Sequence, residues 1–178
     1  MGSNLAKATI AHGYDVVLSN SQGPGSLTSL VAELGPDARA ATPEEAAAAC
    51  DFAIVAIPIT TVSQVPVEPL AGKVVIATIN YFPQRDGHIA EIDKGITTAP
   101  GVLQAHLPAS KVVRAFSMLD AADMSGDGHP KGDPKRRALA LAGDDPAAKG
   151  IVTRQTLAEL KANVAKAKRA VDAGQDSA

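Results

Sequence analysis

Residues 51–80 read DFAIVAIPITTVSQVPVEPLAGKVVIATIN, and two runs inside that stretch, FAIVAI (52–57) and KVVIATI (73–79), have strand length and no polar–apolar alternation. A strand that presents no polar face is covered on both sides, as in a parallel sheet with helices above and below it. Toward the N-terminus, TPEEAAAA (42–49) predicts a helix capped by Thr42, with Pro43 in its first position and Glu45 three residues after the cap. SLTSLVAEL (26–34) predicts another, with Leu27, Leu30, Val31 and Leu34 at helical spacing. YDVVLSNS (14–21) reads as a buried strand emptying into a polar loop, and Ser3 to Ala11 as an alanine-rich helix stopped at His12-Gly13.

Toward the C-terminus, GVLQAHL (101–107) predicts a helix, KVVRAF (111–116) and RRALALAG (136–143) two strands, and Pro146 to Val171 a helical stretch with a break near Arg154. MSGDGHPKGDPK (124–135) is the one long turn-rich loop. Strands alternating with helices in this order predict an α/β fold, a doubly wound parallel sheet with right-handed crossovers. We expect one domain over residues 1–171 and a disordered tail, DAGQDSA, over 172–178.

The chain has 178 residues, 46% of them apolar, and a formal net charge of −2. A domain of that size buries roughly 70% of its unfolded surface. The charge gives no footprint for nucleic acid or an anionic membrane, leaving small molecules or a second copy as expected partners. The apolar runs fall far short of the ~20 residues that span a bilayer, and no signal pattern opens the chain, so a soluble cytoplasmic protein is expected. Cys50 is the single cysteine. It rules out an internal disulfide and reads as a small core hydrophobe.

Ligands of open α/β sheets bind outside the carboxyl ends of the strands. The residues just past those ends are Ser19, Asn20, Ser21 and Gln22, then Ile57 to Thr61, then Asn80-Tyr81, then Phe116-Ser117, and none is acidic. NAD-selective sites place an acid after the second strand to hold the ribose hydroxyls, where it would repel the extra phosphate of NADP. Ser19, Asn20 and Ser21 offer neutral donors suited to a 2′-phosphate, although SNSQGPG (19–25) is equally the composition of a turn. The helix starting at Gly2 and Ser3 points free N–H groups at its own N-terminus, where a pyrophosphate is favoured. His12, His88, His106 and His129 are scattered, and neither a catalytic triad nor a metal-ligand spacing is present, so catalytic and metal residues are both expected to be none. PQRDG (83–87) reads either as a substrate-orienting segment through Arg85 or Asp86 or as a turn.

Four blocks, MGSNLAKATIAHGYDVVLSNS (1–21), CDFAIVAIPI (50–59), NYFPQRDG (80–87) and KVVRAFSML (111–119), together resemble the coenzyme F420-dependent NADP oxidoreductases of the actinobacterial branch. The resemblance runs over nearly the whole chain. It implies a Rossmann-like fold, NADP and coenzyme F420 as cofactors, and hydride transfer between them. Relatives carry a strand and the first two glycines of G-x-G-x-x-G ahead of the helix that starts at Gly2, so the resemblance implies that a central strand is missing here. It implies a second gap where GIVTR meets QTLAELKAN, near residue 154.

By the same resemblance Met1 and Gly2 fall at the phosphate turn, and Ser19, Asn20, Ser21 and Gln22 at the 2′-phosphate pocket. Ile57, Pro58 and Thr61 flank the nicotinamide, and Asn80 and Ala115 sit at the same edge. Relatives usually carry arginine at Gln22, and losing that cation removes a charge-assisted phosphate contact. Lys131, Lys135, Arg136 and Arg137 are placed either over the anionic tail of F420 or in a solvated loop. Hydride transfer between two bound cofactors needs distance and orientation rather than an acid or base. Two other readings stand beside this one: a non-catalytic remnant that binds nucleotide or dimerises, and an NADPH-dependent reductase of a flavin, metal or small carbonyl compound. TLAELKANVAKAKRAV (156–171) packs either between the subunits of a homodimer or on its own sheet.

Overall fold

The computed structural model describes residues 1–119, 133–134 and 140–153. Helix α1 (Gly2–Ile10) leads into strand β1 (Val16–Leu18). A 3-10 turn (Pro24–Leu27) and α2 (Thr28–Leu34) carry the chain to β2 (Ala38–Ala40), which is followed by α3 (Pro43–Ala49) and β3 (Phe52–Val55). Two 3-10 turns (Ile59–Gln64 and Glu68–Leu70) replace a helix before β4 (Val74–Ala77). The short α4 (Pro83–Asp86) and α5 (Ala90–Asp93) and the longer α6 (Ala99–His106) precede β5 (Lys111–Arg114), and α7 covers Pro146–Thr153.

The pairing is parallel wherever two of these strands meet. β1 lies on β2 with Val16 opposite Ala38. β3 lies on β4 with Phe52 opposite Val74, and β4 on β5 with Val74 opposite Lys111. Side chains of β4 alternate between two apolar layers, as the pleat requires. Val75 and Ala77 join Ile59, Leu70, Leu103 and Leu107 on one face; Val74 and Ile76 join Val113, Ala148 and Val152 on the other. Helices therefore cover both faces, and the fold is a doubly wound, Rossmann-like α/β arrangement. Burying each such Val, Leu or Ile side chain is worth about 1.5–3 kcal/mol.

Polar bonds pin the crossovers to this core. Gln104 donates to the carbonyls of Leu107 (2.9 Å) and Ser110 (3.0 Å) and accepts from Val112 N (3.0 Å), which ties α6 to β5. The buried Ser110 hydroxyl donates to Leu70 O at 2.8 Å. Thr42 and Glu45 form a complete capping box on α3, and Lys73 donates to Ala47 O (2.7 Å) and Ala48 O (3.0 Å) at its far end, where a cation meets the negative pole of the helix. The Cys50 thiol donates to Ala47 O and is pushed above its ordinary pKa by desolvation, which favours the protonated form.

The sheet is divided: among the described residues β1 and β2 form one two-stranded piece and β3, β4 and β5 a separate three-stranded one. Doubly wound sheets usually run third, second, first, fourth, fifth, sixth. Here β2 and β1 take the third and second places and β3 to β5 the last three. The division falls at the first place of that order.

Three expectations need correction. β2 was unexpected, because ARA is short and carries an arginine, yet it supplies the strand that belongs between α2 and α3. The helix over 26–34 begins as a 3-10 turn and turns α-helical at Thr28. The last strand was expected to be parallel; its described part makes one antiparallel bridge, Ala142 to Arg114. Gly143 follows that bridge because an added Cβ would stand 2.9 Å from Val112 O. Residues 136–139, the loop 124–132 with Lys131, and Lys135 lie outside the described residues. So do the junction at Arg154, the helix beyond it and the tail 172–178.

Candidate functional site

Two contacts orient the pieces of the divided sheet. α1 starts beside the carboxyl end of β3, where a Cβ added to Gly2 would meet Ala56 Cβ at 3.9 Å. The Tyr14 ring, just ahead of β1, packs edge-on against Phe52 at the start of β3, with centroids 6.0 Å apart. β1 and β3 therefore run the same way. The residues after β1, β3, β4 and β5 share one edge with the N-terminus of α1, and Met1, Gly2, Ser19, Ile57, Pro58 and Asn80 all belong to it.

At that edge the amides of Asn4 and Leu5 donate to Met1 O, while those of Gly2 and Ser3 have no partner within the helix, and no acid stands in its first turn. The Gly2–Ala56 spacing is ordinary contact, so packing alone would accept alanine at position 2. The SNSQ loop divides by residue. Asn20 is taken up by the turn: its amide donates to Ser26 Oγ at 2.8 Å, and its oxygen accepts from Gln22 N at 3.0 Å. Ser26 Oγ in turn donates to Gly23 O at 2.7 Å, and Gly23 holds φ +85°. Ser19, Ser21 and Gln22 are exposed, with no side-chain hydrogen bond to the described residues. A phosphate could meet these three without breaking the turn.

Past β3, Ile57 is half-buried against the core and Pro58 exposed. The Thr61 hydroxyl and amide both donate to Pro58 O, at 2.9 and 3.1 Å, which closes the 3-10 turn. Past β4, Asn80 bridges to β5. Its amide donates to Ser117 O (2.8 Å), its side-chain oxygen accepts from Arg114 Nη2 (3.2 Å), and its carbonyl accepts from Arg85 (3.1 Å). Ala115 is only 1% exposed, so it supports this edge from below without reaching the surface.

The PQRDG segment is satisfied by itself and by the backbone just before it. Asp86 accepts from Phe82 N (2.9 Å) and from Arg85 Nε (2.7 Å) and Nη2 (2.8 Å), and the Arg85 guanidinium beside it holds its carboxyl below the usual carboxylate range. The turn reading of Arg85 and Asp86 is thus the one the geometry supports. Next to it, Asp93 accepts from Tyr81 Oη (2.7 Å) and His88 Nδ1 (2.9 Å), and these bonds lower its pKa, that from Tyr81 most.

Sequence reasoning missed Arg114, and it placed Phe116 past a strand end without its conformation. Arg114 is the one charge inside the apolar run VVRAF, a signal visible in the sequence. Phe116 holds φ +60°, the one positive value at a non-glycine position among the described residues. That conformation is costly for a bulky side chain, and nothing in the sequence announces it. Among the described residues no group of three His, Cys, Asp or Glu could hold a metal ion, and no helix is long and apolar enough to cross a membrane.

A family model described as NADP oxidoreductase, coenzyme F420-dependent, matches residues 1–81. A hypothetical protein from Sinorhizobium meliloti is 30% identical, with a TM-score of 0.71 over 89% of this chain and 76% of that one. A protein from Arthrobacter sp. FB24, named as an F420-dependent NADP-reductase, is 20% identical, with a TM-score of 0.74 over 91% of this chain and 76% of that one. One from Pseudomonas putida KT2440, named as an oxidoreductase, is 16% identical, with a TM-score of 0.57 over 86% of this chain and 47% of that one. The last two likenesses speak for the fold alone. No curated protein matches the chain.

Proposed function

Because the chain belongs to the coenzyme F420-dependent NADP oxidoreductase family, we propose that it moves a hydride between NADP(H) and F420. The observation that carries this reading is the make-up of the shared edge. Among the described residues it combines the free amides of Gly2 and Ser3, the unengaged side chains of Ser19, Ser21 and Gln22, and no acid just past the carboxyl ends of β1, β3, β4 and β5. These groups fit a phosphorylated dinucleotide. Gly2 and Ser3 would face the pyrophosphate and the SNSQ loop the 2′-phosphate, with Ile57, Pro58 and Thr61 walling the nicotinamide side. NADPH, when bound, supplies the hydride; the protein's share is to fix its distance and angle to the acceptor and keep water out. Among the described residues no side chain at the edge is placed as an acid or base, and hydride transfer needs none.

Incubating the protein with NADPH and oxidised F420 while following F420 absorbance tests the proposal. Loss of the F420 band at a rate that depends on NADPH is expected. A second reading, nucleotide binding without turnover, draws on the same edge: in such folds the dinucleotide lies across the crevice between the first and fourth strand places, and the groups described there are amides and hydroxyls rather than acids or bases. NADPH binding with no change in F420, flavin or carbonyl acceptors would favour it. Turnover with flavin alone would leave an NADPH-dependent reductase with a different partner.

A further inference from the structure

The Arg114 guanidinium sits half-buried at the carboxyl edge of β5. Its Nε donates to Ser117 Oγ at 2.7 Å and its Nη2 to Asn80 Oδ1 at 3.2 Å, both neutral acceptors. The ion pairs among the described residues are Lys7–Glu33, Arg85–Asp86, His88–Asp93 and Lys111–Asp145, so no carboxylate of that set neutralises Arg114. Arginine keeps its proton in proteins, and a cation taken partly out of water without a counter-ion is unfavourable unless an anion arrives.

The surroundings hold that cation still. The Asn80 amide is fixed by Ser117 O, so its oxygen must face the guanidinium. The chain turns back over Arg114 through Phe116 at φ +60°. β4 lies between β5 and β3, so along the shared edge Arg114 stands two strand spacings, roughly 10 Å, from the nicotinamide wall at Ile57, Pro58 and Thr61.

We propose that Arg114, held by Asn80 and Ser117, is the specificity-determining residue for the second redox partner and binds an oxyanion, a carboxylate or phosphate, on that partner. A planar fork with donors left over among the described residues suits such a group in a bidentate arrangement. The proposal rests on the reading of the site as an NADPH oxidoreductase, and its test separates the two.

Binding of F420, FMN and riboflavin is measured by fluorescence quenching, and binding of NADPH separately, for the wild type, Arg114→Gln and Arg114→Lys. FMN and riboflavin differ by one phosphate. Arg114→Gln should weaken F420 and FMN by about tenfold and leave riboflavin and NADPH within twofold. Arg114→Lys, which keeps the charge without the fork, should fall between, and added salt should narrow the gap between FMN and riboflavin. Equal losses for FMN and riboflavin, or unchanged F420 and FMN binding in both variants, would overturn the proposal. An Arg114-dependent preference for FMN in a protein that transfers no hydride would sink the oxidoreductase reading while keeping the anion site. Turnover of F420 indifferent to Arg114 would do the reverse.

Discussion

β1 and β4 are written in nearly the same letters, VVL and VVIA, but the fold treats them differently. In β4, Val75 and Ala77 are 0% exposed and Ile76 is 1% exposed, whereas Val16, Val17 and Leu18 are all only half-buried. The difference is pairing. β4 has a strand on each side and a layer on each face, and among the described residues β1 is paired on one side only. Apolar composition states what surroundings a strand requires; its neighbours decide whether it receives them.

The sharpest way to break this comparison is to empty a side chain in each half. Leu103→Ala, in the layer over β4, should lower stability by about 3 kcal/mol, and Val17→Ala in β1 by about 1 kcal/mol or less, read from urea unfolding. Equal costs would mean that the two halves are packed alike. Gly143→Ala should follow, at about 1–3 kcal/mol, because its new methyl is driven toward Val112 O on the β5 side. A shift in the unfolding midpoint without a change in slope would mark it as local strain.

Thr42→Ala probes the helix that touches both halves, since α3 packs on β1 and on the turn Glu68–Leu70. Losing the cap should cost about 1 kcal/mol. Hydrogen exchange should show the loss in β1 as well as in α3 if the helix couples the halves. The smallest expected effect is that of pH on the segment after β4. Asp93 has its pKa lowered by Tyr81 and His88. That contribution is complete above the ordinary carboxylate range and disappears as pH falls through the lowered value. Asp93→Asn should flatten that acid-side loss, as followed by thermal melting across the pH range.

What could be read in the sequence was mostly local. The capping box at Thr42 and Glu45 spans four residues and was fully legible. The runs 52–57 and 73–79 announced parallel strands because nothing polar interrupts them. β2 was not legible: ARA has no apolar run of its own and becomes a strand through its pairing with β1. In the site, the SNSQ loop showed the right residue types. Only coordinates reveal that the Asn20 amide is used up by Ser26 and Gln22 while Ser19 and Ser21 remain free. Asn80 was singled out for its place after a strand; its bonds to Arg114 and Ser117 join positions 34 and 37 residues away, beyond any local pattern.

The divided sheet leaves two facing rows of backbone N–H and C=O groups, on β1 and on β3, without a strand partner among the described residues. Such rows are templates on which a neighbouring molecule can add itself, and chains that carry them are prone to aggregate. Asp15 and Asp51, both exposed, stand immediately before β1 and β3, where like charges repel an incoming copy. With that gap open, solubility should decline as salt screens those charges, whereas a strand seated between β1 and β3 would occupy both rows and remove the effect.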